Sequence, residues 1–309
     1  MLKLRLVPAE TAIKFIKYRF VAFLFSLSLI IASAFSLATQ GLNFGIDFKG
    51  GTLIEAKQDN AIDIGSLRSR LNGLNLGDVQ IQEFGNPQTV LIRIPEQAGA
   101  SDTSNDLSAV EQIRGEIVGE FEIRRVEIVG PQISDELIEA GILAVVLAVV
   151  AMLIYIWFRF EWQFSVGAVL ALVHDVIATL GIFSILQLEF NISILAAILT
   201  IVGYSMNDTV VVYDRVRENL RKYKKVPLGD LLDQSVNNTL SRTVMTSFTT
   251  LIALFSLYLL GGEVIEGFTF AMIWGVIVGT YSSIFVAAPI LLIFGVKRDW
   301  SEVKTADAT

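Results

Sequence analysis

The stretch NISILAAILTIVGYSMNDTVVVYDR, residues 191–215, predicts the fold, because it is long and apolar enough to cross a bilayer and holds a carboxylate before its polar end. Residues 191–206 include no charged side chain, and Asp208 follows them. An ionised side chain inside hydrocarbon costs roughly 2.5 to 3.5 kcal/mol, so a chain that keeps one there usually uses it. We interpret Asp208 as a proton or ion site. The alternatives are that its side chain snorkels to the interface or only hydrogen-bonds within the helix bundle.

Composition favours a membrane protein with several spans. The 309 residues are 53% hydrophobic and 18% charged, with a mean hydropathy of +0.60, which is too apolar for an ordinary soluble domain. Charge is segregated: residues 40–134 hold 8 Lys/Arg against 14 Asp/Glu, whereas residues 214–242 hold 7 against 4. The chain has no cysteine, so its sequence does not indicate a redox compartment.

Six apolar runs and their charged flanks predict an α-helical membrane protein with six transmembrane helices and both termini in the cytoplasm. The predicted segments are a cytoplasmic N-terminus (1–19), a first span (20–39), a periplasmic domain (40–134), further spans (135–158, 162–188 and 190–213), a basic cytoplasmic loop with a surface helix (214–241), two last spans (242–262 and 267–296) and a cytoplasmic tail (297–309). Basic residues then lie inside and acidic loops outside, as the positive-inside rule requires. A cleaved signal peptide, with Ala32-Ser33-Ala34 as its site, is the alternative for the first run.

Residues 40–134 change to short alternating strands and two amphipathic helices. Strands are predicted at 51–57, 79–84, 89–94 and 122–129, helices at 62–74 and 106–119, a turn at 85–87 and a loop at 96–105. The order β-α-β-β-α-β is that of an α+β ferredoxin-like domain. Because this domain is acidic and follows an outward span, we expect it outside the cytoplasm.

A second and a third charged position accompany Asp208 in the predicted bundle. Arg242 begins the fifth span and is predicted at a depth similar to that of Asp208, so the two could pair; it could equally be a positive-inside anchor. The pair His174-Asp175 lies near the middle of the third span. Histidine titrates near neutral pH and could relay protons, and a structural hydrogen-bonded pair is as good an interpretation. A guanidinium favours an ionised carboxylate and desolvation favours a protonated one, so separating Asp208 from Arg242 would switch the acid.

The motifs of enzymes that work on similar scaffolds are absent. Tyr213-Asp214 matches the first motif of intramembrane aspartyl proteases, but the second, Gly-x-Gly-Asp, does not occur. The sequence also lacks a phosphate loop, HExxH and Gly-x-Ser-x-Gly. We therefore expect no enzyme, no metal and no cofactor, with protons as the coupling ion.

Four motifs carry a resemblance to the SecD/SecF family of protein-export membrane proteins, and to its SecF branch in particular. They are FGIDFKGGT (44–52), VGYSMNDTVVVYDRVREN (202–219), Ser241-Arg242-Thr243, and Gly261-Gly262 followed by Glu266-Gly267-Phe268. The second motif is long and specific, whereas the first is shared with the sister subunit SecD. Six spans with one exoplasmic domain after the first also resemble half of an RND-type transporter.

The resemblance implies a function and a set of partners. It implies a subunit of the Sec accessory complex in the bacterial inner membrane, surrounded by lipid, that uses the proton-motive force to help export secretory proteins after the SecA ATPase has pushed them in. The implied partners are a SecD-like six-span half, the SecYEG channel and often YajC. We expect no binding to nucleic acid. An RND-type small-molecule efflux subunit and a passive scaffold of the channel are the alternatives.

The resemblance also assigns roles by position. Asp208 and Arg242 match the family's intramembrane acid and base, and Asn207 flanks that acid. The implied junction motif between the first span and the periplasmic domain contains Gly45, Asp47, Gly50 and Gly51, whose glycines we expect to serve tight backbone geometry rather than ligand contact.

Overall fold

The computed structural model describes residue 8 and residues 11–74, 76–77, 79–95 and 104–296, with the backbone alone for 104–106, 131–133 and 263. Its helices are α1 (Arg19–Thr39), α2 (Ile46–Lys49), α3 (Ile64–Asn72), α4 (Ser104–Ile117), α5 (Pro131–Arg159), α6 (Trp162–Ile185), α7 (Ile192–Lys222), α8 (Leu228–Leu260), α9 (Glu266–Ser282) and α10 (Ala288–Ile293). A π-helical turn, Ser283–Ala287, joins α9 to α10. The strands are β1 (Asn43–Phe44), β2 (Gly51–Lys57), β3 (Gln80–Phe84), β4 (Asn86–Ile94), β5 (Glu122–Val129) and β6 (Glu189–Phe190). The predicted tail 297–309 and the loop residues 96–103 lie outside the described residues.

One compact unit, formed by residues 43–145 and 188–195, contains a four-stranded sheet. The strand order is β3-β4-β2-β5, with every neighbouring pair antiparallel. The buried leucines and isoleucines of α3 and α4 join those of the sheet in one core. The order of elements and the pairing are those of the ferredoxin-like arrangement, so the predicted fold class is confirmed.

Local chemistry moves three boundaries within this unit. Helix α3 begins at Ile64 rather than at 62, because the Asp63 carboxylate accepts hydrogen bonds from the backbone N–H groups of Gly65 and Ser66 and caps the helix. The turn between β3 and β4 is tighter than predicted: Gly85, at φ 69°, makes it, and Asn86 already begins β4. The predicted loop also ends early, since α4 begins at Ser104.

Within the described residues, six helices are long and apolar enough to cross a membrane, which confirms the predicted number of spans. The third, fourth and sixth candidate spans form the interior, with 56%, 50% and 67% of their most apolar windows buried. The first, second and fifth are buried by only 22%, 6% and 11%. The acids predicted as functional lie on the third and fourth of these helices, α6 and α7.

The helices do not end where the apolar runs end. Helix α7 continues past the predicted boundary at 213 to Lys222, and α6 stops at Ile185, before the predicted 188. The surface helix predicted between Pro227 and Ser241 is the first part of α8 rather than a separate element. Charged residues such as Arg217 and Glu218 leave the hydrocarbon but are good helix formers, so the backbone continues as helix.

Among the contacts that hold the first helix against this bundle, one lies before α1 and one lies along it. Before α1, the Ile16 backbone N–H donates to Asp233 Oδ1 at 2.8 Å, so the chain is tied to α8. Along α1, Ser33 meets Gly181 of α6 so closely that a Cβ at position 181 would lie 1.9 Å from Ser33 Oγ. Glycine at 181 therefore permits this approach, as small residues commonly do between membrane helices.

Candidate functional site

Asp208 lies inside the helix bundle with 8% of its surface exposed. Thr243 Oγ1 on α8 donates to Asp208 Oδ1 at 2.6 Å, and Ser283 Oγ at the π turn donates to Asp208 Oδ2 at 2.5 Å. Both donors are neutral hydroxyls on neighbouring helices. Asp208 therefore joins α7 to α8 and to the last span, and it does not snorkel into solvent.

Asp175 forms a second buried acid site, on α6, and is fully inaccessible to solvent. Ser205 Oγ and Ser282 Oγ donate to its Oδ2 at 2.5 and 2.7 Å. His174 Nδ1 lies 2.9 Å from its Oδ1. The predicted adjacent pair His174-Asp175 is therefore a hydrogen-bonded pair in the interior.

His174 completes this pair but leaves one of its ring nitrogens open. Its side chain is 6% exposed, and within the described ranges its Nε2 has no hydrogen-bond partner. The ring centroid lies 6.2 Å from that of Tyr281, whose hydroxyl donates to the Ala22 carbonyl. A buried polar atom left without a partner costs about 1 to 3 kcal/mol, so this nitrogen is a natural place for a water or a proton donor to bind.

Arg242 and Asn207 are the predicted site residues that, among the described contacts, make no hydrogen bond and no ion pair within 4 Å with the acid. Both side chains are exposed in the isolated chain. Among the ion pairs of the described residues, none within 4 Å involves Arg242. The anticipated pair is thus not a direct ion pair here: Thr243, the next residue of α8 and buried, donates to one oxygen of Asp208, and the charge of Arg242 acts on the acid at longer range. Asp214, on α7 like Asp208, is also exposed and pairs with Arg159 at 2.6 Å.

The hydroxyl residues around the two acids are the part of the site that sequence reasoning missed. Ser205 and Ser283 stand in apolar helices, where serine is an ordinary small packing residue, and only their partners give them meaning. The one signal available was Ser282-Ser283, two consecutive buried hydroxyls in the middle of the last apolar run.

The paired glycines of the junction motif adopt backbone conformations in the left-handed region. Gly50 and Gly51 have φ values of 70° and 111°, which only glycine adopts without strain. Asp47 Oδ2 accepts a hydrogen bond of 2.9 Å from the Ile192 N–H in the first turn of α7. The Gly45 N–H donates to the Phe190 carbonyl at 2.9 Å. The motif is therefore fastened to the beginning of the helix that carries Asp208.

A short parallel ladder reinforces this junction. Strand β1 pairs with β6, placing Asn43 opposite Glu189 and Phe44 opposite Phe190. Glu189 also forms an ion pair with Arg93 of β4. The segment before α7 is thus held by main-chain bonds and by one charge pair from the sheet, a contact that two-residue strands gave no means to predict.

Two buried carboxylates held by hydroxyls can each exist in either protonation state. An ionised carboxylate accepts from the hydroxyls, and a protonated one donates to a hydroxyl, which has lone pairs as well as a proton. Such a site suits proton binding and release within a helix bundle. Together with six spans and a ferredoxin-like domain after the first, it defines a multi-pass membrane protein with a buried acid centre.

Comparison with known proteins establishes the family. The model of the SecD/SecF protein-export membrane protein C-terminal region matches residues 109–297, and that of the SecD/SecF GG motif matches residues 35–60. The chain belongs to the SecD/SecF family.

Relatives agree over nearly the whole length. The chain is 48% identical to the protein translocase subunit SecF of Cereibacter sphaeroides, covering 96% of this chain and 94% of that one. It is 45% identical to SecF of Rhodobacter capsulatus, with 99% and 96% covered. It also matches the crystal structure of SecDF, a translocon-associated membrane protein from Thermus thermophilus, with a TM-score of 0.85 at 34% identity. That match covers 94% of this chain but only 40% of the crystallised one.

Proposed function

We propose that this protein is a proton-coupled subunit of the Sec protein translocase accessory complex, and that it uses the proton-motive force to assist export of secretory proteins across the inner membrane. The observation that carries the proposal is Asp208, an acid buried in the bundle and held by two neutral hydroxyls. Its relatives are named protein translocase subunit SecF, so protein translocation is the process that we propose the acid drives.

The proton relay in this proposal consists of Asp208 and Asp175, with His174 as the histidine next to the second acid and Arg242 and Asn207 at the edge. Each proton that crosses the membrane releases about 2.3 kcal/mol per 100 mV. The two hydroxyls that donate to Asp208 lie on two other spans, so gain or loss of the Asp208 proton changes hydrogen bonds among three spans at once. That is the physical link between proton movement and helix movement.

A second six-span half is the partner that this chain requires. Arg242 and Asn207 are exposed, and charged or amide side chains facing lipid are costly. The spans of α5 and α8 are buried by only 6% and 11% within the chain. Since the matched SecDF chain is longer than this one, we propose a SecD-like partner that covers exposed parts of α5 and α8 and contacts Arg242.

The remaining partners and the orientation follow from the same proposal. The complex would work beside the SecYEG channel, with YajC, on preproteins that SecA drives into the channel. The chain would be a multi-pass inner-membrane protein with cytoplasmic termini and a periplasmic ferredoxin-like domain. We propose an accessory role without catalysis and without a cofactor other than the proton.

The test is Asp208→Asn, which keeps the size of the side chain but removes the titratable group. We expect a strain carrying this variant to lose proton-gradient-dependent export while the protein still inserts and co-purifies with its partner. The matched control is Asp214→Asn, since Asp214 lies on the same helix, exposed and paired with Arg159. Normal export in the Asp208→Asn strain would contradict the proton-coupled mechanism. Drug sensitivity without an export defect in a strain that lacks the protein would favour an efflux subunit.

A further inference from the structure

The two buried acids share one structural element, the pair Ser282-Ser283 at the end of α9 and the beginning of the π turn. Ser282 Oγ donates to Asp175 and Ser283 Oγ donates to Asp208. We propose that these consecutive hydroxyls are positioning residues that couple the two acids, so that the protonation state of one is transmitted to the other. This inference rests on the proposed function and adds a specific link to it.

Both serines have a second acceptor within reach, in their own helix. Ser282 Oγ lies 3.1 Å from the Gly279 carbonyl oxygen, and Ser283 Oγ lies 3.0 Å from the Thr280 carbonyl oxygen. Each hydroxyl can therefore turn its proton from the carboxylate to the carbonyl three residues earlier without leaving a buried donor unpaired. It can then accept a hydrogen bond from the acid, once the acid is protonated.

The other hydroxyls of the site lack this choice. Thr243 donates to Asp208 and Ser205 donates to Asp175, and the contacts of the described residues give neither hydroxyl a second acceptor. Turning either donor away would leave it buried and unsatisfied, at a cost of about 1 to 3 kcal/mol. Thr243 and Ser205 therefore keep donating to the acids, whereas Ser282 and Ser283 can donate either to an acid or to a backbone carbonyl.

The π turn explains why two neighbouring residues can serve two acids. A π turn widens the helix and is found frequently at functional sites. Ser282 closes the regular helix and Ser283 opens the turn, so that one side chain reaches α6 and the next reaches α7. A rearrangement of hydrogen bonds at either serine acts on the peptide unit that joins them, which is how one acid is affected by the other.

Other groups on these helices titrate or carry charge and must be separated from the acids in any measurement. The nearest along the chain are His174 beside Asp175 on α6, Tyr204 and Tyr213 on either side of Asp208 on α7, Arg242 beside Thr243 on α8, and Tyr281 beside Ser282 on α9. Of these, His174 contacts Asp175 directly. None of these five has the carbonyl stretching band of a protonated carboxylic acid, and the bands of other acids such as Asp214 and Glu266 remain in Asp208→Asn, so the band lost in that variant belongs to Asp208.

The experiment is an infrared pH titration of the full chain in lipid nanodiscs, with the Asp208 band identified by its loss in Asp208→Asn. We expect Asp175→Asn to move the titration midpoint of Asp208 by about one pH unit, the size typical of coupled sites. In Ser282→Ala or Ser283→Ala, the same Asp175→Asn substitution should leave the midpoint unchanged, because the link is broken.

The matched control is Ser184→Ala. Ser184 is equally buried and hydrogen-bonded, to Ser36 and to the Gly41 carbonyl, and it contacts neither acid, so the effect of Asp175→Asn should persist in this variant. The inference is overturned if the midpoint does not respond to Asp175→Asn in the otherwise unaltered chain, or if it responds equally in both serine variants. Either result leaves the proton role of Asp208 intact, because that role is tested separately by export with Asp208→Asn.

Discussion

Replacing Asp47 by alanine should loosen the beginning of the helix that carries Asp208. The Asp47 carboxylate accepts from the Ile192 N–H at 2.9 Å, an amide that has no partner within its own helix. Removing such an acceptor costs about 0.5 to 2 kcal/mol, and the negative charge near a helix N-terminus contributes about 0.3 to 1 kcal/mol more. Asn191 Oδ1 still holds the Ile194 N–H at 3.2 Å, so the turn should fray rather than unfold.

Hydrogen exchange of the purified full chain, followed by mass spectrometry on peptides covering residues 188–196, measures this loosening. The two contributions together, about 0.8 to 3 kcal/mol, correspond to exchange about 4 to 150 times faster. Asp47→Asn keeps an acceptor oxygen and should show a smaller effect. Asp59→Ala removes an exposed aspartate from the same domain and should show none at this site. Unchanged protection in Asp47→Ala would refute the view that this residue fastens α7.

Three further predictions concern packing, charge and the second acid. Gly181→Ala should lower the unfolding temperature in detergent, because its new methyl group meets Ser33 and overpacking costs about 1 to 3 kcal/mol, whereas Gly203→Ala, which meets nothing within 4 Å, should leave it unchanged or raise it. Arg70→Met should destabilise the ferredoxin-like domain in a salt-dependent way, because the ion pairs of Arg70 with Glu120 and Glu116 are lost. Hydrogen bonds to these two glutamates raise the pKa of Arg70, so its contribution to stability is present at neutral pH and is lost only as the pH rises through the pKa of Arg70 in the folded protein. Asp175→Ala should lower stability by about 1 to 3 kcal/mol in detergent unfolding, because the buried Ser205 hydroxyl loses the acceptor that the described contacts give it.

Much of the architecture could be predicted from the sequence because it depends on periodicity and length. Apolar runs of membrane length predict six spans, and alternation along strands predicts the sheet. The depth of Asp208 within its run also follows from counting residues, since a helix rises by a fixed amount per residue. These features are local or repetitive, so one sequence is enough to predict them.

The contacts of the acids could not be predicted, because they depend on how the helices rotate and cross. Nothing in the run 267–296 indicates that Ser282 faces one helix and Ser283 another, or that a π turn begins there. Arg242 was the obvious partner for Asp208 by charge, yet the structure uses the adjacent Thr243. The rotation of a helix determines which of two neighbouring residues points inward. Hydropathy does not predict that rotation where both residues are polar, as Arg242 and Thr243 are.

Helix α8 has one more consequence, because its 33 residues run without a break from Leu228 to Leu260. At 1.5 Å per residue it is about 50 Å long, well beyond the roughly 30 Å of a hydrocarbon core. Thr243, which binds Asp208, lies near its middle, about 22 Å from Leu228. A tilt of about 10° at that point would displace the Leu228 end by about 4 Å, and with it the segment before α1 that is bonded to Asp233.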